Sequence, residues 1–222
     1  MDTLEESSAL SSPAPECSLC SRLYAFREQN ALEYPDWFNK PVPSFGSLQS
    51  QVLIVGLAPG LQGANKTGRP FTGDYAGDLL YATLKKYGFA QGNYEAHPDD
   101  NLQLINCMIT NAVRCVPPQN KPIASEINTC QQFLKSCLTH MDQLKIILVL
   151  GRIAHDSTLA ALGHKKRDFP FKHGGSYPVH IKDRSVYLCS SYHCSRYNTN
   201  TGRLTQAMFE DVFVKINKTL NK

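Results

Sequence analysis

Apolar residues follow two rhythms along this chain. Four stretches are almost continuously apolar: VLIVGL from Val52, ITNAVR from Ile109 with QLIN just before it, KIILVLG from Lys145, and VYLCSSY from Val186. Such runs predict short strands buried on both faces. Helical spacing governs the segments around them. Leu19, Leu23 and Phe26 share one face of SLCSRLYAFREQN, and a helix is predicted from about Tyr75 to Tyr87. From Ser125, the residues Ile127, Phe133, Leu134, Leu138 and Met141 form one stripe. RIAHDSTLAALG reads as a helix that Gly163 can end, and Leu204, Met208, Val212 and Ile216 recur at i+4 in a last helix. PDWFNKPVPSFG reads as a loop, because Pro35, Pro41 and Pro43 interrupt either regular structure. Alternating strands and helices predict an α/β single domain. Its central sheet is expected to be four-stranded, mainly parallel and flanked by helices in three αβα layers, with ligands beyond the carboxyl ends of the strands.

Composition supports one sizeable core: 222 residues, 42% hydrophobic and 19% charged. No run approaches the roughly 18 apolar residues of a membrane span, and no basic region followed by an apolar stretch opens the chain. The expectation is a cytoplasmic protein without a membrane partner. Residues 1–16, MDTLEESSALSSPAPE, are rich in Ser, Pro and Glu and are expected to form a disordered acidic leader before one domain over 17–222. The formal charge of +4 divides into −4 on that leader and +8 on the remainder, a balance suited to a polyanionic partner. Eight cysteines without an export signal read as buried thiols, metal or cluster ligands, or catalytic groups rather than disulfides.

The loops after three strands carry the polar chemistry. GLAPGLQGANKTGRPFTGDYAG has five glycines from Gly56 to Gly73, which lets backbone N–H groups approach a ligand. It matches neither a Walker A pattern nor a dinucleotide fingerprint. NAVRCVPPQNKP places Asn111, Cys115 and Asn120 after a strand. SYHCSRYNTNTGR sets His193 at a strand end, leading into Arg196, Tyr197, Asn198 and Arg203. Those arginine and asparagine side chains suit DNA phosphates and base edges, and Tyr197 can stack or wedge.

These segments, with the Cys17-x-x-Cys20 pair, resemble the uracil-DNA glycosylase superfamily and within it the iron–sulfur family 5 (type B) enzymes. The resemblance runs from Cys17 to the last helix. It implies a monofunctional DNA repair glycosylase that flips uracil out of double- or single-stranded DNA, hydrolyses its N-glycosidic bond and leaves an abasic site. Hypoxanthine and ethenocytosine are further substrates it suggests, and the chain is expected to act as a monomer. The family's cluster ligands match Cys17, Cys20, Cys115 and Cys130, which implies a 4Fe-4S cluster, with zinc as the alternative for four thiolates. Cys107, Cys137, Cys189 and Cys194 remain as ordinary buried thiols.

Motif matching implies Asp74 as the carboxylate that stabilises the sugar cation and orients water. His193 is implied as donor to the departing base, and Phe71 as the aromatic wall of a base pocket that includes Gly56 and Ala58. Asn111 reads as a base-binding residue and Asn120 as a catalytic one, although the resemblance leaves open which reads the base and which places water. Two positions depart from the family pattern: Gly60, where Ala is usual, and Cys194, where Pro commonly follows the histidine. A non-catalytic iron–sulfur protein that binds nucleic acid is the competing expectation. A nucleotide-cofactor enzyme built on the glycine-rich loop is a third.

Overall fold

The computed structural model describes residues 10–221. In chain order the elements are α1 (Ser21–Glu33), β1 (Phe45–Gly46), β2 (Val52–Gly56), α2 (Ala64–Thr67), α3 (Tyr75–Lys86), β3 (Ala90–Gln91), β4 (Gln103–Leu104) and β5 (Cys107–Asn111). Then follow α4 (Ala124–His140), β6 (Ile146–Leu150), α5 (Arg152–Ala161), β7 (Ser176–Ile181), β8 (Arg184–Ser191), α6 (Arg196–Asn200) and α7 (Gln206–Leu220). The main sheet runs β1-β5-β2-β6-β8-β7, with β5, β2, β6 and β8 mutually parallel.

The expected four parallel strands are therefore present, but the sheet has six, because β1 and β7 add antiparallel edges. Both edges hide behind proline. β1 is two residues long beside Pro43, and β7 (SYPVHI) contains Pro178, tolerable only where no ladder partner is lost. The second strand begins at Cys107 and ends at Asn111, earlier than ITNAVR suggests. Gln103–Leu104 belongs instead to a separate ribbon with β3, cut off from β5 by Asn106 at φ 49°.

Continuous apolar runs became two-sided burial. Along β2, Val52 and Ile54 face one layer with Leu80, Leu84, Phe209 and Phe213, while Leu53 and Val55 face the other with Leu134, Leu138 and Leu159. At ~1.5–3 kcal/mol for each large side chain withdrawn from water, these two layers dominate stability. A third, smaller core joins Leu23, Val113 and Phe133 to Cys115 and Cys130.

The first helix departs from its expected face. Leu19 precedes α1 and is 57% exposed, and the helix buries Leu23, Arg27 and Asn30 instead. Of the expected leader, residues 1–9 lie outside the described residues. Residues 10–16 form no helix or strand but are tethered: Arg27 donates to the Pro15 carbonyl at 3.1 Å, and the Ser11 N–H to Ser136 Oγ at 2.8 Å.

Candidate active site

The parallel strands end together, and Gly56 and Asn111 are register partners at the tips of β2 and β5. Beyond them opens a cavity of about 380 Å³. Its lining includes Ala58, Gly60, Phe71, Asp74, Asn111, Asn120, His193 and Arg196, so three loops distant in sequence meet in one place.

The floor depends on Gly56. A β-carbon there would stand 2.3 Å from Asn111 Oδ1 and 2.8 Å from the Phe71 ring, so only glycine lets both side chains reach the cavity. Phe71 is buried, lies 5.9 Å from the His193 ring in a stacked arrangement and adopts φ 53°, in the left-handed region. That conformation costs of order 1–3 kcal/mol for a residue other than glycine and persists only if its surroundings impose it. They do. The Tyr81 hydroxyl donates to the Pro70 carbonyl at 2.6 Å and the Tyr94 hydroxyl to the Phe71 carbonyl at 3.2 Å. Arg69 holds Thr72 Oγ1 at 2.8 Å and grips Asp100 through two bonds of 2.7 Å, which keeps that carboxyl down at about 2.

Asp74 caps α3, accepting from the Gly77 N–H at 3.1 Å. Its Oδ2 faces the backbone of Gly63 and Gly60, where β-carbons would stand 2.5 and 3.2 Å away. Burial raises its pKa above the ordinary carboxylate value, partly opposed by the Gly77 and Ala76 N–H groups. The helix-cap and cavity roles are thus compatible: one oxygen anchors the helix while the carboxylate lines the cavity.

His193 follows β8. Burial pushes its pKa down to about 4, so the imidazole is neutral at physiological pH. Among the described residues nothing hydrogen-bonds the ring, whereas its own carbonyl is held by the Asn198 side chain at 2.8 Å. The thiol of Cys194, next in sequence, is fully buried and donates to the Ala76 carbonyl at 3.4 Å, pinning the histidine loop to α3.

The two asparagines occupy different ground. Asn111 is 4% exposed, beside Phe71, and its amide has no hydrogen-bond partner among the described residues. Asn120 is exposed at the rim, in a turn where Gln119 and Asn120 both have positive φ. The residues expected to meet DNA also divide. Arg196 lies at the rim, stacked over Tyr75 at 5.3 Å, and Tyr197 is 72% exposed. Arg203 stacks over Tyr192 at 4.8 Å and lines a neighbouring cleft with Arg152 and Asn198, the latter's amide already spent on His193. Tyr94, Arg69 and Asp100 went unnoticed in the sequence. They support the site from outside it: Arg69 sits within the glycine-rich loop, where only the glycines stand out, and the segment of Tyr94 and Asp100 shows no period or glycine signature.

A second site lies on the other side of Ala58, which packs against the small core as well as lining the cavity. Cys17, Cys20, Cys115 and Cys130 line one small hollow with Leu23, Val113 and Phe133. Burial pushes Cys115 up to about 12 and Cys130 up to about 11, with the charges of Arg27 and Arg114 respectively opposing it. The backbone N–H of Arg114 donates to Cys130 Sγ at 3.3 Å. Among the described residues, no three His, Cys, Asp or Glu side chains are placed to hold one metal ion. A tetrahedral zinc would require its sulfurs about 3.8 Å apart, given Zn–S bonds of about 2.3 Å. The remaining four cysteines are buried in the two large cores.

Comparison with known proteins agrees with this geometry. A family model described as the Uracil DNA glycosylase superfamily matches residues 43–220. A protein of Thermus thermophilus named Type-5 uracil-DNA glycosylase is 41% identical over 204 residues, covering 90% of this chain and 91% of that one. A Mycobacterium leprae protein of the same name is 39% identical over 206 residues, covering 89% and 88%. A Type-4 uracil-DNA glycosylase of Sulfurisphaera tokodaii is 27% identical over 215 residues, covering 96% and 84%. With the family model spanning all six strands of the sheet and the cavity at their ends, the chain belongs to the uracil-DNA glycosylase superfamily.

Proposed function

We propose that this chain hydrolyses the N-glycosidic bond between uracil and deoxyribose in DNA, leaving an abasic site. The observation that carries this reading is the convergence of Asp74, His193, Asn111 and Phe71 on one cavity at the strand ends. Its volume of about 380 Å³ falls within the ~300–1,000 Å³ of ordinary small-ligand sites, enough for an extruded nucleoside.

Bond cleavage leaves the electron pair on the base and positive charge on the sugar. Asp74 stabilises that cation and orients the water whose oxygen bonds the sugar carbon. His193, neutral, donates a hydrogen bond to the uracil oxygen where negative charge develops, and no proton need be transferred at that moment. Phe71 stacks on the base with Gly56 and Ala58 beneath it. Asn111, buried and with its amide uncommitted, reads the base edge; Asn120, at the rim, positions water. Arg196 and Arg203 contact DNA phosphates or base edges and Tyr197 stacks or wedges against the DNA, while Asn198 acts through His193.

The four-cysteine hollow is the place for a 4Fe-4S cluster, the reading that family membership favours over a zinc ion on the same four thiolates. The donor set fits: four thiols, a shell that is mainly apolar through Leu19, Leu23, Val113 and Phe133, and a backbone N–H already directed at Cys130. Cys17, Cys20, Cys115 and Cys130 would hold the cluster, which supplies a covalent clamp between α1 and the middle of the chain. Activity on hypoxanthine and ethenocytosine, monomeric action on single- or double-stranded DNA, and a cytoplasmic location belong to the same proposal; no described helix is long and apolar enough to cross a membrane.

The test incubates the purified protein with end-labelled strands carrying one uracil, single-stranded and as U·A and U·G pairs, followed by alkaline cleavage. Parallel duplexes carry hypoxanthine and ethenocytosine. A labelled fragment of the length set by uracil is expected. Binding without an abasic product on any of them would favour the non-catalytic alternative.

A further inference from the structure

Two arginines flank the cysteine hollow under conditions that a core does not normally allow. Arg27 is 2% exposed and Arg114 is 3% exposed, and among the described residues neither forms an ion pair. Arg27 donates to the carbonyls of Pro15 and Cys17, at 3.1 and 2.6 Å, while its buried Nε–H has no partner among the described residues. The Arg114 side chain donates to the Val42 carbonyl at 2.9 Å and to the Thr110 hydroxyl, and the residue is among those that line the hollow. Glu126, a carboxylate one turn before Cys130 on α4, is already taken by Arg22 through two bonds of 2.7 Å and by the Ile123 N–H at 2.9 Å.

Neutral carbonyls satisfy hydrogen-bond donors but do not cancel charge. Removing a cation from water costs several kcal/mol, and arginine cannot escape by losing its proton. Two buried guanidiniums without carboxylates therefore require negative charge from another source. The groups that both residues adjoin are the thiols: the Arg27 guanidinium holds the Cys17 carbonyl at 2.6 Å, and Arg114 precedes Cys115 in the chain and directs its N–H at Cys130 Sγ at 3.3 Å. A 4Fe-4S core bound by four thiolates is a dianion, which matches two cations.

We propose that Arg27 and Arg114 are the counter-ions of the cluster, and that they set its charge state and couple its presence to the docking of α1. This inference rests on the cluster reading above. Each cation favours the more negative, reduced form, so removing one makes reduction harder. The link to folding follows, because loss of the cluster leaves both charges buried and uncompensated.

The experiment uses anaerobically purified full-length protein and measures iron, sulfide and the one-electron midpoint potential by voltammetry. Arg27→Met removes the charge at similar volume, and Arg27→Lys keeps it. The expected result is a potential shifted to more negative values in Arg27→Met, with Arg27→Lys close to wild type. Loss of iron from Arg27→Met alone, with Lys rescuing it, would equally support a requirement for charge. Full iron with an unmoved potential in Arg27→Met would overturn the proposal. So would loss of iron from both variants, which would assign Arg27 to holding the Pro15 and Cys17 carbonyls. Wild-type protein without iron and sulfide would sink the cluster reading itself, a distinguishable failure.

Discussion

Placement of the Asp74 carboxylate can be perturbed without touching a chemical group. In Gly63→Ala the new β-carbon would stand 2.5 Å from Asp74 Oδ2 and 3.0 Å from its Cγ. Ordinary contact requires roughly 3.4 Å or more, so the carboxylate must retreat by about 1 Å, a displacement that can cost ~10²-fold when it misplaces a catalytic group. That is about 2.7 kcal/mol of activation free energy. The strain also costs ~1–3 kcal/mol of stability, as overpacking usually does. Gly60→Ala is the internal control: its β-carbon would lie 3.2 Å from the same oxygen, so a shift of a few tenths of an ångström suffices. Single-turnover excision of uracil from a labelled duplex, with binding to the same duplex and thermal unfolding in parallel, provides the assay. Gly63→Ala is expected to lose ~10²-fold in the chemical step with DNA affinity retained. Gly60→Ala should stay within a few-fold of wild type. Wild-type single-turnover rates in Gly63→Ala would refute the claim that this carboxylate's position governs the chemistry.

Other outcomes follow from the same geometry. Asp74→Asn should lower excision by orders of magnitude while raising the melting temperature at neutral pH, because burial opposes the charged form; a variant both inactive and less stable would reassign Asp74 to helix capping. Excision should fall as pH drops through a value above the ordinary carboxylate range, as Asp74 protonates, with no limb near 6.5 from His193; such a limb, lost in His193→Ala, would contradict a neutral imidazole. His193 also contributes stability that is lost as pH falls from about 6.5 toward about 4, since the unfolded chain binds that proton first, and His193→Ala should flatten this part of the unfolding profile. Cys115→Ser should purify without the brown absorbance and melt at lower temperature; full iron retention would remove Cys115 from the ligand set.

Periodicity and chemistry were legible in different degrees. Strands β2, β6 and β8 announce themselves as continuous apolar runs, because each must satisfy a core on both faces. β1 and β7 do not, because an edge strand needs only one partner and tolerates Pro178. α1 misled for a related reason: Leu23 is the one large apolar residue on its buried face, and Arg27 and Asn30, which complete that face, are marked by no hydrophobic pattern. Asp74, His193, Asn111 and Phe71 were found by motif, yet spacing cannot say that loops more than a hundred residues apart share one cavity. It also cannot separate Asn111 from Asn120, since burial alone distinguishes them.

Local patterning was enough to specify the alternation of four parallel strands with helices, the glycine-rich loop, and the residue types available for chemistry, because those are properties of neighbouring side chains. Tertiary structure decided what each residue faces. Sheet register sets Gly56 against Asn111, the grip of Arg69 on Asp100 and the Tyr81 and Tyr94 hydroxyls hold Phe71 in a left-handed turn, and burial shifts Asp74 up and His193 down. Each of these depends on contacts between segments far apart in the chain, and desolvation exists only once those segments have closed around the group.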